Sequence, residues 1–256
     1  MTTVKTILFA ALFVGNASAQ FTSTLIQNNS YWADGKAEFN IYAAEIMRDG
    51  ILRPCEVLHI YTREKIDGVP VLRWNQIANV PTGLTIQQGM RSSYWRVDNA
   101  HLLKFCLTSS DSSNNSYLEG RRDGEQFICE TRGAISATQN ISIPANGYFY
   151  AELPWLVRTL DFSKTSAPFE IQVAGANLEF KPAKVSLTTA AKTLEVRVGD
   201  DQFILDRDFP NLLREWKAAD GTHLKMKRNL KVDYKKYEKP GDRERALNDP
   251  MLRLPD

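Results

Sequence analysis

Apolar and polar residues alternate one by one along most of this chain. Ala37, Phe39, Ile41 and Ala43 are interleaved with Glu38, Asn40 and Tyr42, and a period of two marks a half-buried β-strand. Asp49-Gly50 is a turn signal, and Glu56–Glu64 follows as a strand rich in β-branched and aromatic residues. Leu72–Asn75 and Gly83–Met90 read as further strands, broken by Pro81-Thr82-Gly83. His101–Ser109 is another, ending in the polar loop Ser109–Asn115. Tyr117–Glu119 and Gln126–Glu130 flank Arg122-Asp123-Gly124, a hairpin turn.

The second half repeats this logic. Glu170–Ala174 is a short strand, and Asn177–Lys181 and Lys184–Thr188 lie on either side of Pro182. Leu194, Val196 and Val198 alternate with Glu195 and Arg197, Gly199-Asp200 turns the chain, and Gln202–Asp206 continues it. Leu212–Trp216, the Asp220-Gly221 turn and His223–Tyr234 complete a meander. In the last strand Lys225, Lys227, Lys231 and Lys235 fall on one face, because successive side chains point to opposite sides. One segment breaks the pattern. Tyr148–Phe162 is apolar and aromatic around Pro154, and since proline suits a first helical turn, a short helix is predicted over 154–160. The fold class expected is therefore all-β: an antiparallel rolled sheet or open barrel with one short helix.

The N-terminus reads differently again. Lys5 is followed by the apolar run Ile7–Val14 and then by Ala17-Ser18-Ala19, the order of a secretory signal peptide. The run is far shorter than the roughly 20 residues that span a bilayer as a helix, and no later stretch is long and apolar enough to do so. The organisation expected is a signal peptide over 1–19, one β-rich domain over 20–237 and a polar, poorly ordered tail over 238–256, in a protein exported to the periplasm or beyond. Lys and Arg total 32 against 30 Asp and Glu. Such a balance argues against nucleic-acid binding, which needs many phosphate-neutralising cations.

Candidate chemistry is sparse. The three histidines, His59, His101 and His223, lie in no catalytic signature and read as solvated or core-edge side chains. No metal-ligand spacing, phosphate loop or nucleophile elbow is present, so no cofactor or metal is predicted; Asp200-Asp201 and Asp206 with Asp208 read as turn formers ahead of a calcium site. Cys106 and Cys129 sit in strand-like runs and would face each other across a hairpin as a possible disulfide, with Cys55 left over. The aromatic group Phe149, Tyr150, Leu153, Trp155 and Leu156 would either fill the core or line an apolar groove.

Tyr31-Trp32-Ala33-Asp34-Gly35-Lys36-Ala37-Glu38 resembles the opening strand of a family of exported bacterial proteins of unknown function. Leu58–Glu64, Leu103-Lys104 with Thr108-Ser109, Leu153–Phe162 with its Arg158-Thr159-Leu160-Asp161-Phe162, and Phe209-Pro210 with Leu213–Trp216 and Asp220-Gly221-Thr222 are similar in the same order. The resemblance implies a periplasmic, β-rich domain, a rolled sheet among its forms, with no catalytic residues to carry over. Some relatives carry an automatic septum-formation-inhibitor label, which describes cytoplasmic α/β enzymes and conflicts with this patterning.

Three readings of function remain. The first is a non-enzymatic binding role in envelope upkeep, with a lipid-like ligand or a partner; it predicts a connected apolar cavity. The second is a structural or interaction module, which predicts an exposed apolar patch or edge strand. The third is an envelope hydrolase in which Glu38 or Asp34 meets a second acid or a histidine. The lysine face would serve either as a solvated strand surface or as an attraction to anionic headgroups.

Overall fold

The computed structural model describes residues 30–82, 84–110, 115–133, 136–160, 168–175, 177–233 and 240–250. The expected signal peptide lies outside them, as do Lys235 and the last residues of the chain. Fifteen strands form one sheet in the order β8-β7-β6-β5-β4-β3-β2-β1-β15-β14-β13-β12-β11-β10-β9. They are β1 (Ala37–Arg48), β2 (Ile51–Ile66), β3 (Val69–Thr82), β4 (Thr85–Arg96), β5 (Leu102–Ser110), β6 (Asn115–Asp123), β7 (Gln126–Arg132) and β8 (Ala137–Ser142). Then follow β9 (Gly147–Phe149), β10 (Phe169–Ala174), β11 (Phe180–Thr189), β12 (Thr193–Val198), β13 (Asp201–Asp206), β14 (Leu213–Lys217) and β15 (His223–Val232). The all-β expectation therefore holds, as an open roll.

Short turns make most neighbours antiparallel. Asp49-Gly50 and Asp67-Gly68 both have positive φ at the two central residues, the backbone that a two-residue hairpin turn requires and Gly tolerates best. The one parallel pair, β9 with β10, needs a crossover instead. The described part of the crossover is a 3₁₀ turn (Tyr150–Glu152), helix α2 (Leu153–Leu156) with Pro154 in its first turn, and a second 3₁₀ turn (Val157–Thr159). It lies on the inner face of the roll as a plug. Another short helix, α1 (Ser30–Ala33), precedes β1. The stretch expected as a poorly ordered tail contains a helix, α3 (Asp242–Asn248).

The plug joins two cores. Leu153, Leu156, Val157 and Leu160 pack with Tyr42, Val57, Phe203, Leu205, Leu213 and Trp216. Trp155 packs instead with Trp32, Tyr61 and Trp95, at ring separations of 5.4, 5.5 and 5.6 Å. All five tryptophans are buried. The edge strands β8 and β9 are the two ends of the sheet and do not pair, yet only residues 143–146 connect them.

Several strands are turned otherwise than their pattern suggests. On β1 it is the set Glu38, Asn40, Tyr42 and Ala44 that faces the interior, opposite the inward Tyr61, His59 and Val57 of β2. On β15 a bulge at Lys227 breaks the register, since Ile41 pairs with Arg228 and Tyr42 with Met226. A bulge exchanges the two faces beyond it. Lys225 and Lys227 are exposed, but Lys231 aligns with inward Glu38 and is nearly enclosed. The expected single lysine face is therefore not formed. Cys106 and Cys129 do not share a hairpin either. Cys106 pairs with Glu119 and Cys129 with Gly120, so β6 lies between them, and Cys106 points outward while Cys129 points in. Both thiols are free, as is Cys55.

Gly120 faces the stacked rings of Phe105 and Phe127, 5.6 Å apart. A Cβ there would lie 2.3 Å from Phe105 Cε1 and 2.9 Å from Phe127 Cε1. Gly120→Ala should lower stability by about 1–3 kcal/mol through overpacking. The urea midpoint should fall with an unchanged slope.

Candidate functional site

The two ends of the roll differ. At one end, beside the first residues of β1, a buried ion pair seals the interior. Arg158 leaves the plug and meets Glu38 of β1 in a bidentate fork, Nη1 to Oε1 at 2.8 Å and Nη2 to Oε2 at 3.1 Å. Its Nε donates to the Asn211 carbonyl at 3.1 Å and Nη2 also to that of Pro210 at 3.2 Å. The guanidinium lies over the rings of Tyr61 and Trp32, 4.7 and 5.3 Å from their centroids. Glu38 further accepts from Tyr31 Oη at 2.7 Å and Asn40 Nδ2 at 2.5 Å. Burial alone would lower the proton affinity of Arg158, but Glu38 beside it outweighs that and raises it.

This arrangement answers the hydrolase reading. Glu38 is held by a cation and two neutral donors inside the fold, while Asp34 pairs with Lys231 at 3.1 Å. The two carboxylates serve different cations and do not form an acid–base pair across a cleft. Asp201 likewise accepts from Tyr150 Oη, Trp216 Nε1 and the Ala219 amide at 2.8, 2.9 and 3.0 Å. Asp206 binds Arg214 at 2.8 Å. Removing one partner of an enclosed ion pair leaves an unpaired charge, which costs about 3–5 kcal/mol. Arg158→Met should destabilise by that amount, and Glu38→Leu combined with it should recover most of the loss, as a double-mutant cycle of urea midpoints will read.

His59 is not the solvated or core-edge histidine expected. It is fully buried among Tyr42, Tyr61 and Trp74, and neither ring nitrogen has a protein partner. Burial, with Arg158 and Arg91 adding to it, pushes its pKa down to about 3. The unfolded chain takes up this proton near pH 6.5 and the folded chain does not, so stability is lost as the pH falls through that window. By pH 5 the loss is about 2 kcal/mol. His59→Phe should remove it, so the variant should gain on the wild type by about that amount between pH 7 and pH 5 in urea titrations. His101 is exposed, and His223 Nε2 lies 2.7 Å from Glu215.

The opposite end is open. The turns β1–β2, β3–β4, β5–β6 and β14–β15 all fall there by strand order. They surround a mouth of about 760 Å³ whose walls include Ile46, Arg48, Ala78, Gly89, Leu107 and Leu224. Deeper, between the plug and strands β4–β6, lies a cavity of about 190 Å³. Leu102, Phe105, Leu107, Leu118, Phe149 and Leu178 give it an apolar wall. Arg91, Leu107, Leu118 and Tyr150 line both spaces, so cavity and mouth adjoin at these side chains. Glu152, also in the cavity wall, accepts from Trp95 Nε1 at 2.7 Å and the Phe149 amide at 2.8 Å. Burial pushes its carboxyl up to about 7 against those two donors.

The aromatic group singled out in the sequence is thus divided. Phe149 and Tyr150 line the cavity, whereas Leu153, Trp155 and Leu156 belong to the packed cores. Arg91 and Arg158 were not singled out as site residues. For Arg158 the available signal is its place in the Leu153–Phe162 segment, one of the pieces that carry the family resemblance. Among the described residues no helix is long and apolar enough to cross a membrane, and no group of three or more His, Cys, Asp or Glu side chains is gathered to hold a metal.

No protein-family model matches the sequence, and no curated protein matches it. Solved structures are similar to it. The crystal structure of a β-barrel-like protein of the domain of unknown function DUF1849 from Brucella abortus aligns with TM-score 0.51 at 6% identity, covering 76% of this chain and 97% of that one. A DUF1089 family protein from Pseudomonas aeruginosa aligns with TM-score 0.39 at 12% identity, covering 61% of this chain and 87% of that one. The likeness to the Brucella abortus protein is one of fold, a β-barrel-like sheet.

Proposed function

We propose that this chain is an exported, non-enzymatic binding protein that holds a lipid-like ligand inside its roll in the upkeep of the cell envelope. The observation that carries the binding role is the largely apolar cavity adjoining a wide mouth at one end while an ion pair and tryptophans close the other. A concave apolar site with a few polar groups is the usual form of a small-molecule pocket. Export rests on the N-terminal pattern of charge, apolar run and small residues.

The interaction-module reading has one specific observation in its favour. Ile51, Leu52, Leu84, Ile86 and Met90 are large apolar side chains left exposed, and all sit on or near the hairpins around the mouth. An apolar rim of this kind suits contact with a partner or a membrane surface, through which a lipid-like cargo would be handed over. The two readings then describe one protein, with the cavity as the store and the rim as the dock.

Native mass spectrometry of the full protein, recovered from the envelope fraction of its own cells, tests the binding role. A bound species of lipid-like mass, removed by organic extraction and absent from a Leu118→Trp variant that fills the cavity, is the expected result. Protein that is consistently bare, and that takes up nothing when mixed with a total lipid extract, removes this reading.

A further inference from the structure

Arg91 sits where a cation is costly. Register carries one inward row across the sheet, Asn40 to His59 to Gln76 to Arg91 to Leu107 to Leu118. Arg91 is the only charged side chain in that row. It is half-buried at the junction of mouth and cavity, its Nε is enclosed without an acceptor, and among the described residues it makes no ion pair. The groups facing it do not compensate. Arg48 of β1 carries the same charge, His59 of β2 is neutral, and the Tyr150 hydroxyl is committed to Asp201. Glu152 lies in the cavity wall with both oxygens held by Trp95 and Phe149. Asp220 and Arg132 stand in the mouth wall, Arg132 paired with Glu130. Burial pushes Arg91 down only to about 10, so the guanidinium stays charged at neutral pH.

A buried charge calls for a partner, and a cation in a low-dielectric cleft concentrates anions. Beyond Arg91 the cavity wall is mostly apolar, with Ser93, Tyr150 and Glu152 as its other polar members. Its volume of about 190 Å³ exceeds the roughly 150 Å³ of a dry cavity known to take benzene, which leaves room for one ring or a short acyl stretch. We propose that the interior binds an amphipathic anion, with its carboxylate or phosphate on Arg91 and its apolar tail among Leu102, Phe105, Leu107, Leu118 and Phe149. This deepens the binding reading above and rests on it. The bulk of a larger headgroup, or the rest of a longer molecule, would occupy the mouth.

Isothermal titration of the full protein with octanoate, octyl phosphate and octanol at pH 7 tests the assignment. At least one of the two anions should bind about tenfold or more tightly than octanol, the scale of a hydrogen bond to a charged group. Which anion leads tells whether a fatty-acid or a phosphate headgroup is preferred. Arg91→Gln should abolish the preference and leave octanol binding unchanged, and it should melt no lower than the wild type because it removes an unpartnered cation. Equal binding of octanol and both anions to the wild type overturns the anion assignment and leaves the cavity reading standing. An anion preference that survives in Arg91→Gln also overturns it. No binding of any of the three overturns both readings.

Discussion

The roll depends on the fork between Arg158 and Glu38. A bidentate pair with good geometry holds each group in a fixed place, and here the two groups come from the plug and from the first strand. Arg158 also takes the carbonyls of Pro210 and Asn211, so the β13–β14 connection is bound to the same point. Nearly every donor of the guanidinium is used, which is what makes such burial tolerable. Trp32 and Tyr61 complete the enclosure with their ring faces. Pieces of chain far apart in sequence are thereby fixed around one cation, and the plug cannot shift along the interior without breaking it.

The position of the plug then decides where the empty space lies. Its aliphatic side, Leu153, Leu156, Val157 and Leu160, fills the half of the interior built by β10–β15. Trp155 fills the sealed end against Trp32, Tyr61 and Trp95. What remains unfilled is the sector under β4–β6, between Phe105, Leu118 and Phe149, and it adjoins the mouth. The cavity is thus a consequence of helix placement more than of any special lining sequence.

Much of the fold was legible because turn chemistry and period-two alternation are local. The hairpins at Asp49-Gly50 and Asp220-Gly221, and the helix around Pro154, stand where the residues place them. What could not be read was the direction each face points. On β1 the inward set includes a carboxylate and an amide, because Arg158, 120 residues away, compensates them. On β15 one bulged residue exchanges the faces, and no local feature of Lys-Met-Lys-Arg announces it. Pro182 does not interrupt β11, where it stands opposite Gln172. The same reasoning covers the site. Phe149 and Tyr150 could be suspected from their aromatic content, but the inward residues Gly89, Arg91 and Ser93 of β4 are small or polar. A single arginine among them looks like an ordinary solvated charge until the register is known.

The unpaired seam between β8 and β9 has a mechanical consequence. In a closed barrel the girth is fixed by strand number and stagger, and widening it means tearing a ladder. Here the sheet's two margins are joined by residues 143–146 and by the packing of Phe149 on Phe105 and Phe127, with no ladder between them. Widening the cylinder along that slit would cost the ring contacts of Phe149 but no strand–strand hydrogen bond, whereas a sealed barrel would have to break a whole ladder.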